Sequence, residues 1–572
     1  MFAVDNNAMA AIDGKKRFSM DKLMTVLCFI LLFIVVIIPI FMIIFNAFFD
    51  SKGFSLSLIT EQFADKKNLD AMWNTVKIAV FATIFGTIMG VFYAWLLGRS
   101  DIPAKGVMRA LFNIPYMFPP FLGAMAWDLL LNERMGYLNK FLVDTFHLQK
   151  MPFNINTIWG IVFVEVSYYF PFVFMQVVAA LERMDPTLEE CARIAGAKQS
   201  TVIRKITLPL VKPAISAGAL LILISSLAHF GVPSILGFSQ GIYTLPTRIY
   251  AVIQNASGSF EGIRQGAALS IMLVIVVAIA LLIQNRILSA GNYDIIKGKS
   301  MRPTLIKLRA AKLPLLLLSI FTLFIIVIVP LAMIILISFL RAYGLPLVPE
   351  NFSLMQYKNV FAKKETIDAI TNSLILSVSA GIISMFLGTL VAYVVQKIKP
   401  KGSGILEVTS LLPYSIPGTV LSIGVILAWS GAIFKITLYD TLWIILIAYI
   451  ARYLSFSMKT SSASLMQVSS SLEEASRACG ASHSESLADI TLPLIRPAMV
   501  SGFFLIFLPA MREVTTSILL YGAYTRTLGV QIYSLREEGY VPQAAALAVI
   551  AIGLIMILNV VVTQLTKDRK GV

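Results

Sequence analysis

The sequence predicts an all-α integral membrane protein of about twelve transmembrane helices, arranged as two parallel six-helix repeats. Three observations lead there. First, 58% of the 572 residues are hydrophobic and only 14% are charged, with a mean hydropathy of +0.81, whereas a soluble protein holds roughly 45–50% apolar residues. Second, apolar runs that meet the roughly 20 residues needed to cross a hydrocarbon core occur twelve times, at about 22–49, 75–97, 108–131, 156–181, 213–237, 266–285, 313–340, 372–395, 405–430, 438–459, 497–521 and 542–565. Third, the second half of the chain repeats the first.

The net charge of +16 raises the question of a nucleic-acid partner, and its distribution answers it in the negative. With the N-terminus placed inside, the inner segments and the span ends beside them carry 29 Lys and Arg against 15 outside. That bias puts both termini in the cytoplasm, with the chain crossing its membrane many times. The apolar run after Lys15, Lys16 and Arg17 is far longer than a signal-peptide core, so it reads as an uncleaved span. Three cysteines, Cys28, Cys191 and Cys479, provide neither a disulfide framework nor a metal cage. The division that follows is a cytoplasmic tail at 1–21, a first half at 22–288, a basic cytoplasmic linker at 289–312, a second half at 313–566 and a tail at 567–572.

The repeat is explicit. The stretch 187–213, TLEECARIAGAKQSTVIRKITLPLVKP, returns at 471–497 as SLEEASRACGASHSESLADITLPLIRP, an offset of 284. Upstream, Asn74-Thr75 aligns with Asn372-Ser373, Pro115-Tyr116 with Pro413-Tyr414 and Pro119 with Pro417, at an offset of 298; the extra 14 residues fall around 132–155. Six spans per half is an even number, so both halves enter the membrane the same way round and a pathway is expected between them.

The best-kept parts of the repeat are the loops 182–213 and 464–497. Thr187 to Glu190 and Ser471 to Glu474 fit the S/T-x-x-E capping box, a Gly follows six residues after each Glu, and Leu-Pro closes each loop. A compact helix-turn-helix knob is predicted. The residues Glu190, Ala192, Gly196, Ile206, Leu208 and Pro209, and again Glu474, Ala475, Gly480, Ile490, Leu492 and Pro493, resemble the EAA loop of ABC importer permeases of the MetI-like class. The second copy departs from the pattern at Ser476, where the first has Ala192. The resemblance implies that these residues couple the permease to two copies of an ABC ATPase, which bind the ATP and Mg, and that an extracytoplasmic substrate-binding protein delivers the cargo. Gly298-Lys299-Ser300 is no P-loop, because Tyr293 stands where the motif needs Gly. No catalytic residue, metal-ligand set or cofactor of the chain's own is identified.

A single chain holding both halves is most like ferric-iron permeases of the FbpB type, and the stretch MREVTTSILL at 511–520 is similar to theirs. Fused importers of thiamine or 2-aminoethylphosphonate, and polyamine permeases, remain alternatives. So does a secondary transporter driven by an ion gradient, although such a protein has no use for the duplicated loop. Intramembrane charge costs about 2.5–3.5 kcal/mol per residue and marks a cavity or a partner. Glu165, His229, Arg452, Arg512 and Glu513 are therefore candidate pathway residues, with a structural ion pair, for instance of Arg512 with a neighbouring carboxylate, as the competing reading. Asp128 and Arg134 are expected to be solvated at the outer rim.

Overall fold

The structure is a computed structural model that describes residues 20–50, 53–256, 258–289, 305–431 and 435–567. Most of the predicted linker and both outermost tails lie outside the described residues. The first half contains α1 (Met20–Phe48), α2 (Lys66–Arg99), α3 (Lys105–Met117), α4 (Pro120–Leu131), α5 (Ile158–Arg183), α6 (Thr187–Ile194), α7 (Gln199–Leu227) and α8 (Phe260–Ser289). The second repeats the order with α9 (Arg309–Ser338), α10 (Lys364–Ile398), α11 (Ser403–Ser415), α12 (Gly418–Trp429), α13 (Leu442–Leu465), α14 (Ser470–Ala478), α15 (Leu487–Met511) and α16 (Val541–Lys567). A two-residue hairpin, Phe49–Asp50 against Gly53–Phe54, is the strand pairing that the all-α expectation lacked.

Among the described residues ten helices are long and apolar enough to cross a membrane, and twelve crossings result if each bent pair, α3 with α4 and α11 with α12, is counted as one. The runs expected at 108–131 and 405–430 are therefore not straight spans: the chain turns by 92° and 115° at Pro119 and Pro417. Proline removes an N–H and restricts the residue before it, so the helix ends there in both halves. Pro209 and Pro493 act differently. Each follows a π-turn, Ile203–Thr207 or Leu487–Thr491, and the helix runs on, the wider turn accommodating the missing hydrogen bond. The loop's second element is thus the start of α7 or α15, not a separate helix stopped by Leu-Pro.

Within each half, α2 packs along α5 with α7 against both, and α10 along α13 with α15 against both. The contact is close because Gly90 and Gly388 sit at the crossings, where a Cβ would lie 2.8 Å from Val173 and 2.0 Å from Ser457. The first helix of each half is exchanged: α1 packs on α12, and α9 on α4. Tyr93 Oη meets Thr322 Oγ1 at 2.6 Å across this exchange. Asn74-Thr75 and Asn372-Ser373, expected to open spans, lie well inside α2 and α10. There they anchor the segment after α7 or α15, with Leu245 N–H donating to Thr75 Oγ1 at 2.8 Å and Leu528 N–H to Ser373 Oγ at 2.7 Å.

Candidate functional site

The two loops have the same construction. Helices α6 and α14 each end in a glycine of positive φ, +84° at Gly196 and +97° at Gly480. Gly196 N–H donates to Arg193 O and Ala197 N–H to Ala192 O; Gly480 N–H and Ala481 N–H repeat this with Arg477 O and Ser476 O. This paired closure needs a left-handed residue, which favours Gly. A Cβ at either glycine would meet nothing within 4 Å, so the backbone there faces open space.

The capping boxes are not formed as expected. Asp185 Oδ1 accepts from Thr187 N–H and Oγ1, and Ser469 Oγ accepts from Ser471 N–H. The caps thus stand two residues upstream of Thr187 and Ser471. Those hydrogen bonds hold the Asp185 carboxyl below its ordinary range.

The glutamates that grip the fold are Glu189 and Glu473, one step before the predicted pair. Thr207 Oγ1 donates to Glu189 Oε1 and Thr491 Oγ1 to Glu473 Oε1, both at 2.6 Å. Arg99 Nε at the end of α2 lies 3.8 Å from Glu189, and Lys397 Nζ at the end of α10 lies 3.5 Å from Glu473. The loop helix is thereby tied to the ends of two spans. Glu190 is half-buried and Glu474 exposed, with Ala475 exposed and Ala192 half-buried. Ile206 and Ile490 are half-buried in the π-turns, whereas Leu208 and Pro493 are exposed and Pro209 and Leu492 half-buried. Ile194 is 86% exposed at the tip. The repeat carried the missed signal, because Glu189 and Thr207 recur as Glu473 and Thr491.

Five predicted pathway residues gather between the halves. Helices α7 and α15 end at Leu227 and Met511, so His229, Arg512 and Glu513 lie in the breaks after them, not inside a span reaching 237 or 521. Ser226 Oγ donates to Glu165 Oε2, and His229 Nδ1 lies 3.1 Å from Glu165 Oε1. In the other half, Arg452 Nε lies 3.6 Å from Glu513 Oε2, which also accepts from Tyr453 Oη at 2.7 Å; Thr516 N–H donates to Glu513 Oε1 at 2.8 Å. The polarity is inverted: the first half carries the acid on α5 and the imidazole after α7, the second the base on α13 and the acid after α15. Buried carboxylates need such partners. Arg512 is not in the ion pair envisaged for it. Its guanidinium donates to the Tyr116 carbonyl of the other half and lies 5.0 Å from that ring's centre.

Asp128 is a correction: it is buried rather than solvated. Its Oδ2 accepts from Arg536 Nη2 of the second half at 2.8 Å, and its Oδ1 from Asn132 and Asn156, each at 2.9 Å. Arg134 is exposed, as expected.

The model of the family described as the binding-protein-dependent transport system inner membrane component matches residues 82–290 and again 384–569. Among curated proteins, the ferric transport system permease protein FbpB of Actinobacillus pleuropneumoniae is 26% identical over 531 residues, 89% of this chain and 73% of that protein. The Fe(3+)-transport system permease protein FbpB 2 of Haemophilus influenzae is 24% identical over 86% of this chain and 89% of its own length. The molybdenum transport system permease protein ModB of Escherichia coli is 32% identical over 37% of this chain and 92% of itself. With two family matches, one in each half, the chain belongs to the binding-protein-dependent transport system inner membrane components and is a fused two-half permease of the MetI-like class in an ABC importer.

Proposed function

We propose that this chain forms the translocation pathway for ferric iron, driven by two copies of a separate ATPase seated on the α6 and α14 loops and supplied by an extracytoplasmic binding protein. The observation that carries the coupling reading is the duplicated loop, tied at its base by Glu189 or Glu473 and open above Gly196 or Gly480. A rigid knob with an open glycine and an exposed Ile194 suits a partner's groove, and a push on it reaches α2, α7, α10 and α15 through the tethered glutamates. The charge bias supports a cytoplasmic position for both loops and both termini. ATP and Mg belong to the ATPase.

Iron is favoured because the FbpB relatives align with most of the chain, whereas ModB aligns with little more than a third. The test is uptake of radiolabelled ferric iron into proteoliposomes holding the permease, the ATPase and the binding protein encoded beside them. ATP-dependent uptake, lost when Gly196 and Gly480 are both replaced by Trp, is expected. Uptake driven by a proton or sodium gradient without the ATPase overturns the coupling reading. ATP-driven uptake of molybdate or 2-aminoethylphosphonate with iron left behind overturns the choice of cargo alone.

A further inference from the structure

At the bends of their broken spans the two halves present the same aromatic pair, Tyr116 against Phe172 and Tyr414 against Phe456, with ring centres 5.4 Å apart in each. The charges resting on these pairs are not symmetric. Arg512 sits on the Tyr116 ring at 5.0 Å, and Lys459 Nζ lies 5.3 Å over the Tyr414 ring. Both cations come from the second half; the matching first-half residues are Ala228 and Met175.

Among the described residues neither cation has a carboxylate at ion-pair distance, whereas Arg452 beside them holds Glu513. The acids of the cluster are already engaged, Glu165 by Ser226 and His229, Glu513 by Arg452, Tyr453 and Thr516. Lys459 is exposed and Arg512 half-buried. Arg512 spans from one half to the other, which places it on the seam where a pathway must open. A guanidinium held by one carbonyl and a ring face keeps donors to spare, and oxygen anions are their strongest acceptors.

We propose that the pathway recognises its cargo through anionic oxygens, with Arg512 and Lys459 as the binding cations: the species that passes is an oxyanion, or a metal ion carried with its anionic oxygen ligands. This rests on the permease reading and narrows the chemistry of its cargo.

The experiment follows the modification of Arg512 by phenylglyoxal, read by peptide mass spectrometry on the purified permease–ATPase complex. Sodium molybdate and ferric citrate are the probes, and sodium chloride at equal ionic strength is the reference. Either probe is expected to slow modification of Arg512 about tenfold. Lys459→Gln should weaken that protection, and Lys459→Arg should restore it. Protection by molybdate alone upholds the inference and removes iron as cargo; protection by ferric citrate upholds both. Absence of protection by either probe overturns the inference, as does wild-type protection in Lys459→Gln, and ATP-driven iron uptake in the same preparation would leave the permease reading standing.

Discussion

Replacing Glu189 by Gln removes one negative charge and little else. The amide oxygen still accepts from Thr207, so the change isolates the effect on Arg99. That pair is nearly dry, its side chains 1% and 5% exposed, and among the described residues no nitrogen of the Arg99 guanidinium has a hydrogen-bond partner, so the Glu189 charge at 3.8 Å is what offsets its burial. A buried charge stripped of its partner costs about 3–5 kcal/mol. In the other half, Lys397 and Glu473 are 13% and 15% exposed, so water screens them and Glu473→Gln should cost only about 1–2 kcal/mol. Thermal unfolding of the purified permease, with protease sensitivity of residues 187–213 as a local readout, should show Glu189→Gln as much the more damaging. Adding Arg99→Met to Glu189→Gln should recover most of the loss, because an apolar side chain of similar length needs no counter-charge. Equal damage from the two glutamate variants, or no recovery in the double variant, would refute the reasoning.

Gly196→Asn should keep the turn, since Asn tolerates positive φ, whereas Gly196→Val should strain it by about 1–2 kcal/mol; if the open space serves docking, Asn also lowers ATPase co-purification, and unchanged co-purification would leave the glycine with a turn role only. The Asp185 carboxyl is depressed by its bonds to Thr187, so its contribution is present above the ordinary Asp range and is lost as pH falls through the lowered value. Amide exchange in the first turn of α6, corrected for intrinsic rate, should therefore rise on acidification, and Asp185→Asn should lessen that pH dependence. Arg536→Ala takes the 2.8 Å cation from an Asp128 carboxylate that keeps its Asn132 and Asn156 donors and should cost about 1–3 kcal/mol in thermal unfolding, whereas Asp128→Asn with Arg536→Met should cost less.

Much of this protein is local or periodic and is therefore legible in one chain. The apolar runs, the repeat at offsets of 284 and 298, the paired loops and the prolines at the breaks are properties of neighbouring residues. Geometry across the fold is not. Choosing Glu189 over Glu190 depends on helical phase, one residue turning the side chain by about 100°, and on Thr207 lying on a different element. Asp128 looked solvated because its partner, Arg536, stands 408 residues away. Arg512 and Glu513 are adjacent, yet one reaches the opposite half and the other pairs within its own.

By itself, then, the sequence determined a membrane protein of two like halves with two like loops, because hydrophobic length and self-similarity need no knowledge of contacts. Only the tertiary structure decided that the first helices are exchanged, which glutamate holds each loop, and that Arg512 crosses from the second half to Tyr116 of the first. Those outcomes depend on which surfaces meet once the spans have packed.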